Sequence, residues 1–216
     1  MTLTHLAESP TGAGEIIEAK LKALRPTQMT VGMAEVSYKR LQWRDLDGQG
    51  RRHLLETHIF PAVSGPKDRH YLTDHHHLGL ALLREGVDQV RLNLQADFSA
   101  LPKDEFWMTM DYRQWVHPFD ARGRKQPIDE LPRSLLDLVD DPFRSLAAAV
   151  RMSGGIAKEQ SPFAEFLWAD FFRHRIRPTL LRKDPDEALG KAMSLVHEKA
   201  AAHLPGWSGD RTEREL

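Results

Sequence analysis

The chain has 216 residues, 41 % of them hydrophobic and 28 % charged, and a net charge of −1. That length allows one large domain or two small ones with a sizeable core, and the charge balance gives broad nonspecific DNA binding little electrostatic support. Cysteine is absent, which excludes disulfides, thiolate nucleophiles and cysteine–zinc sites and favours a cytoplasmic setting.

Residues 1–14 contain Thr, Ser, Pro and Gly without periodicity and read as a tail. The opening lacks the basic and apolar regions of a signal peptide, and no apolar run reaches membrane-helix length, so neither a leader nor a membrane is expected. Residues 15–24 fit a strand or a helix. Pro26 pushes Arg25 into an extended conformation and makes 25–30 a loop. Met33, Val36, Leu41 and Trp43 predict a helix over 31–45, and 47–50 reads as a turn. Strands are expected at 57–63 and 70–73, with a turn at 64–68 between them.

Next comes Asp74-His75-His76-His77-Leu78, an Asp read as the N-cap of a helix with three histidines in its first turn and Gly86 closing it. The alternation of Val90, Leu92, Leu94 and Ala96 with polar residues predicts a half-buried strand. After Phe98 strand patterns vanish. Helices are expected over 144–152, from Ser161-Pro162, and from Asp184-Pro185 to Leu204-Pro205-Gly206.

A helix start exposes unpaired N–H groups and the positive end of the macrodipole, so it can hold an anion. Histidines there add donors that titrate near neutral pH. Successive helical positions diverge by about 100°, so at most two of the three rings can face one site. His76 and His77 are the choices, as general acid or base, with His75 behind them but in the ligand-binding set with Asp74 and Leu78. The plain alternative is a capped helix with exposed histidines. Bunched histidines could also hold a metal with Asp74, although they lack the loops that usually gather ligands; no metal site is assigned.

Two segments resemble a known family. Leu24-Arg25-Pro26-Thr27-Gln28-Met29 is similar to the leading box of ParB-like domains. The strand–turn–strand run into Asp74-His75-His76-His77 resembles the ParB/sulfiredoxin pattern, closest to the ParB-like nuclease subfamily. Trp115-Val116-His117-Pro118 and Glu165-Phe166-Leu167-Trp168-Ala169-Asp170-Phe171-Phe172 resemble that subfamily's second half. The resemblance spans roughly residues 15–207. It implies an α+β fold: a mixed α/β ParB/sulfiredoxin-like domain over 15–100, an all-helical domain over 101–207, and a tail over 208–216. It also implies nucleotide phosphates bound at the signature helix.

Relatives include CTP-binding partition proteins, ATP-dependent sulfiredoxins and free-serine kinases. In the kinases an early acidic residue acts as base, and Glu35 is its nearest counterpart, with Lys39 one turn on. Gln28, Lys39 and His117 join the expected ligand set. The family's signature Gly is His75 here, and its phosphate-gripping Arg is Leu78. The expected function is phosphoryl-transfer or phosphodiester chemistry on a nucleotide or small phosphorylated ligand, with Mg²⁺ where a nucleoside triphosphate is used. The alternatives are a non-enzymatic DNA-partition or regulatory adaptor that senses a ligand, and a His-ligated metal enzyme.

Overall fold

The computed structural model describes residues 14–157 and 161–209. The expected tails lie outside them apart from Gly14, Ser208 and Gly209. The protein is a mixed α+β structure whose backbone clusters into two units.

Unit 1 comprises the described residues through Met29, together with Val36–Asp120 and Lys125–Val139. Its centre is a four-stranded sheet of β1 (Glu15–Lys20), β3 (Phe60–Gly65), β4 (Arg69–Leu72) and β5 (Gln89–Asp97), in the order β1-β5-β3-β4; β2 (Thr30–Val31) lies outside it. β1 runs antiparallel to β5, with Glu15 opposite Leu94, while β3 runs parallel to β5 and antiparallel to β4. The ambiguity over 15–24 resolves as strand β1 followed by a 3₁₀ turn at Leu21–Ala23. Period-2 alternation sends Tyr71 and Leu72 to opposite faces.

On one face Tyr71 joins Val63, Ala96 and Phe98 against Phe106 and Met110 of α4 (Lys103–Tyr112). On the other face α3 (His76–Arg84) packs closely: a Cβ on Gly79 would lie 3.1 Å from Leu135, 3.5 Å from Phe60 and 3.6 Å from Leu72. Glu85 ends α3 and ties it to α1 (Met33–Asp45), accepting from Arg40 Nε at 2.6 Å and from Arg44 Nε and Nη2 at 2.8 Å. Those two guanidiniums hold its carboxyl down to about 2.

Residues 47–50, expected as a turn, instead open α2 (Gly48–Thr57). Asp47 caps it by accepting from Gly50 N–H at 2.7 Å, which offsets the poor helix propensity of two glycines.

Unit 2 comprises Thr30–Glu35, Ala121–Arg124 and the described residues from Asp140 onward. Its helices are α5 (Pro142–Met152), α6 (Ala164–Arg173), α7 (Pro178–Lys183) and α8 (Pro185–Leu195). Trp168 and Phe172 are fully buried among Ala147, Val150, Ala188 and Val196, and Trp168 Nε1 donates to Pro205 O at 2.8 Å. Each such aromatic contributes on the order of 2–3 kcal/mol by leaving water. A short strand β6 (Val139–Asp140), absent from the sequence reading, pairs with β2, and Asp141 N–H donates to Val31 O at 2.9 Å.

Asp141 caps α5 with Pro142 in its first turn, and Asp184 caps α8, accepting from Glu187 N–H at 2.9 Å. α6 does not start at Ser161-Pro162; Phe163, in the left-handed region at φ 58°, is its cap. Buried charges tie the helices together. Arg144, 8 % exposed, pairs with Glu165 and lies 3.9 Å from Glu35, while Arg173 pairs with Asp141 at 2.5 Å and with Asp170.

Candidate functional site

The segment after the first 3₁₀ turn runs beside β4. Arg25 N–H donates to His70 O at 2.9 Å and Leu72 N–H donates to Arg25 O at 2.9 Å. This docking brings Thr27 to the start of α3. Thr27 N–H donates to His76 Nε2 at 3.1 Å, and its hydroxyl donates to Leu72 O at 2.6 Å. On its other side Thr27 O accepts from His117 N–H at 2.8 Å, and Gln28 and His117 form an isolated parallel bridge. One peptide segment therefore gathers Gln28, His76 and His117. The His117 ring stacks on Phe119 at 4.5 Å.

The start of α3 departs from the expected geometry. Asp74 is not its cap: Asp74 Oδ1 accepts from the neighbouring His75 N–H at 2.6 Å, and the carboxylate is 77 % exposed. His75 is the cap residue and lies in the left-handed region at φ 63°, so the helix begins with two histidines rather than three. No side chain caps the helix. A left-handed residue is where glycine carries no steric cost, which accounts physically for a signature glycine at this position. The His75 ring stands edge-on to Phe60 at 5.7 Å, and its Nδ1 is buried without a hydrogen-bond partner. Burial lowers its pKa most; the exposed Asp74 charge opposes this, and His58 and Lys39 add to the lowering. Lys39 thus acts electrostatically on the same helix start.

His76 is 3 % exposed, and burial pushes its pKa down to about 4, so near neutral pH it is uncharged. Accepting the Thr27 N–H at Nε2 puts its own proton on Nδ1. His77 is 8 % exposed and Leu78 half-buried. Glu35 belongs to unit 2, beside Arg144. On α6 Asp170 pairs with Arg173, and the His174 Nδ1 lies 2.7 Å from Asp170 O. Among the described residues no group of three His, Asp or Glu side chains could hold a metal ion. No helix there is long and apolar enough to cross a membrane.

The contact missing from the sequence reading is Thr27, a threonine between Pro26 and Gln28. The only signal for it was its place in the leading box. Its partner His76 lies 49 positions away.

Comparison with known proteins agrees with this architecture. The chain is similar to protein Atu1540 from Agrobacterium tumefaciens, known from its crystal structure. The two are 50 % identical, with a TM-score of 0.84, over 90 % of this chain and 98 % of that one. No match is found among curated proteins. The profile of the ParB-like nuclease family matches residues 17–174, which takes in the leading box, the Asp74–His77 signature, the His117 loop and α6. The chain belongs to the ParB-like nuclease family.

Proposed function

We propose that the protein binds a nucleotide or another phosphorylated ligand at the N-terminus of α3 and performs phosphoryl-transfer or phosphodiester chemistry there. The observation that carries this reading is the helix start itself, which no side chain caps and beside which the buried His75 Nδ1 has no partner. The positive end of a helix that no side chain caps suits phosphate oxygens.

With its Nε2 engaged by Thr27, His76 sets the position of the helix rather than moving protons. Acid–base work then falls to His77 and His75, and Lys39 adds a positive charge nearby. Leu78 supplies no bidentate grip, so phosphate is held through backbone N–H groups. A nucleoside triphosphate would bring Mg²⁺ held mainly by its own phosphates, and Asp74 is the exposed carboxylate at that helix start.

The test is a thermal-shift and calorimetric titration with inorganic phosphate, ADP and Mg²⁺–ATP on the wild type and on His75→Asp. A ligand at a hundred times its Kd stabilises by about 2.7 kcal/mol, or roughly 5–10 °C for a chain of this size. The introduced carboxylate repels the anion and should remove the share of that gain that comes from the helix start. Shifts in the wild type no larger than in His75→Asp, with inorganic phosphate as with the nucleotides, would rule the site out.

A further inference from the structure

A cleft of about 420 Å³ opens on the α4 side of the sheet, the face opposite α3. Five cations line it: Arg25, Lys67, Arg69, Lys103 and Arg133. Its single carboxylate, Asp129, is already paired with Lys103. Among the described residues the side chains of Lys67, Arg69 and Arg133 form no ion pair. Arg25 is held in place by donating from Nη1 to Arg133 O at 2.5 Å. The chain's net charge of −1 hides this concentration because the five positions are spread over 109 residues.

The walls are aromatic. Buried Tyr71 and Phe106 form the base, and half-buried Trp107 stands against them with ring centroids 5.3 and 4.9 Å away. The turn that carries Lys67 to the rim is strained: Lys67 at φ 64° and Asp68 at φ 52° are consecutive left-handed residues, neither of them glycine. Strain of this kind persists where the surrounding structure holds it, often at binding sites.

We propose that this cleft is a second ligand site, one that takes a nucleotide, with the phosphate among Arg25, Lys67 and Arg69 and the base against Trp107. Cations alone accept any anion; the adjoining indole selects one that carries a flat ring. The cavity has the volume of a small-molecule site. The nucleotide comes either free or as part of a single strand, and the chemistry at the cleft is the same. The site is independent of the helix start of α3.

The experiment is calorimetry with inorganic phosphate, nucleoside monophosphates and a twelve-residue oligothymidylate. The proteins are the wild type, the surface double variant Lys67→Glu/Arg69→Glu, Trp107→Leu and His75→Asp, each checked for fold by circular dichroism. In His75→Asp, whose helix start is blocked, a nucleotide probe should bind at least about tenfold more tightly than phosphate does. The double variant should lose about tenfold or more in affinity, and Trp107→Leu should weaken nucleotide but not phosphate.

His75→Asp should leave this binding intact, which separates it from the site at α3. Oligonucleotide binding well above that of the monophosphate, with a salt slope reduced by about 1.4 in the double variant, identifies a strand; equal affinity identifies free nucleotide. Either supports the site. It is overturned if no nucleotide probe binds, if phosphate binds His75→Asp as well as nucleotide does, if the double variant binds as the wild type does, or if only His75→Asp abolishes binding.

Discussion

Acid should loosen the protein through His76 before its carboxylates titrate. In the folded state burial holds this ring neutral, with a pKa of about 4 against an ordinary 6.5. The unfolded chain therefore takes up a proton first. The contribution is fully present above pH 6.5 and is lost as pH falls from 6.5 towards 4. At about 1.36 kcal/mol per pH unit, the loss reaches roughly 2–3 kcal/mol by pH 4.5. Protonation also removes the acceptor that Thr27 N–H uses, so the loop at 25–28 should loosen with it.

The assay is urea denaturation followed by circular dichroism between pH 7.5 and 4.5, on the wild type and on His76→Gln. The glutamine amide oxygen can accept the same N–H but does not titrate. His75, also shifted down by burial, titrates in both proteins, so the difference between the two slopes isolates His76. If His76→Gln loses stability with pH as steeply as the wild type, the ring is not the neutral acceptor described.

Other substitutions probe the remaining geometry. His75→Gly should leave stability within about 1 kcal/mol, because it relieves the left-handed strain while adding unfolded-state freedom. His75→Val should cost about 2 kcal/mol or more in the same denaturation assay. Gly65→Ala should cost about 1–3 kcal/mol, since its Cβ would lie 2.6 Å from the Tyr71 ring and 2.8 Å from Phe106. Arg144→Met should lower stability by roughly 1–2 kcal/mol, because Glu165 loses its buried guanidinium and keeps only the more exposed Arg151, and adding Glu165→Gln should recover part of that loss.

The sequence exposed what short-range physics controls. The alternation of β5 and the Asp184-Pro185 start of α8 were each legible, because propensity, capping and burial agreed locally. Residues 15–24 stayed ambiguous because Glu15-Ile16-Ile17-Glu18-Ala19-Lys20 satisfies neither period strictly, and only pairing with β5 decides it. α2 was hidden because Gly48 and Gly50 read as a turn and the helix has no fully buried residue to mark a face. The cap of α3 moved by one residue because Asp74 bonds its neighbour's N–H, a competing local interaction that the sequence cannot rank. The Thr27–His76 link and the five-cation cleft are tertiary: they join positions dozens of residues apart and leave no periodic trace.

The division into two units has an evolutionary consequence. Unit 2 draws on three separate stretches of chain, and Thr30–Glu35 supplies both the Val31 carbonyl for Asp141 and the Glu35 carboxylate near Arg144. A fragment beginning at Asp140 would leave both behind. Neither unit can therefore be inherited, duplicated or grafted as a cassette by cutting the gene once.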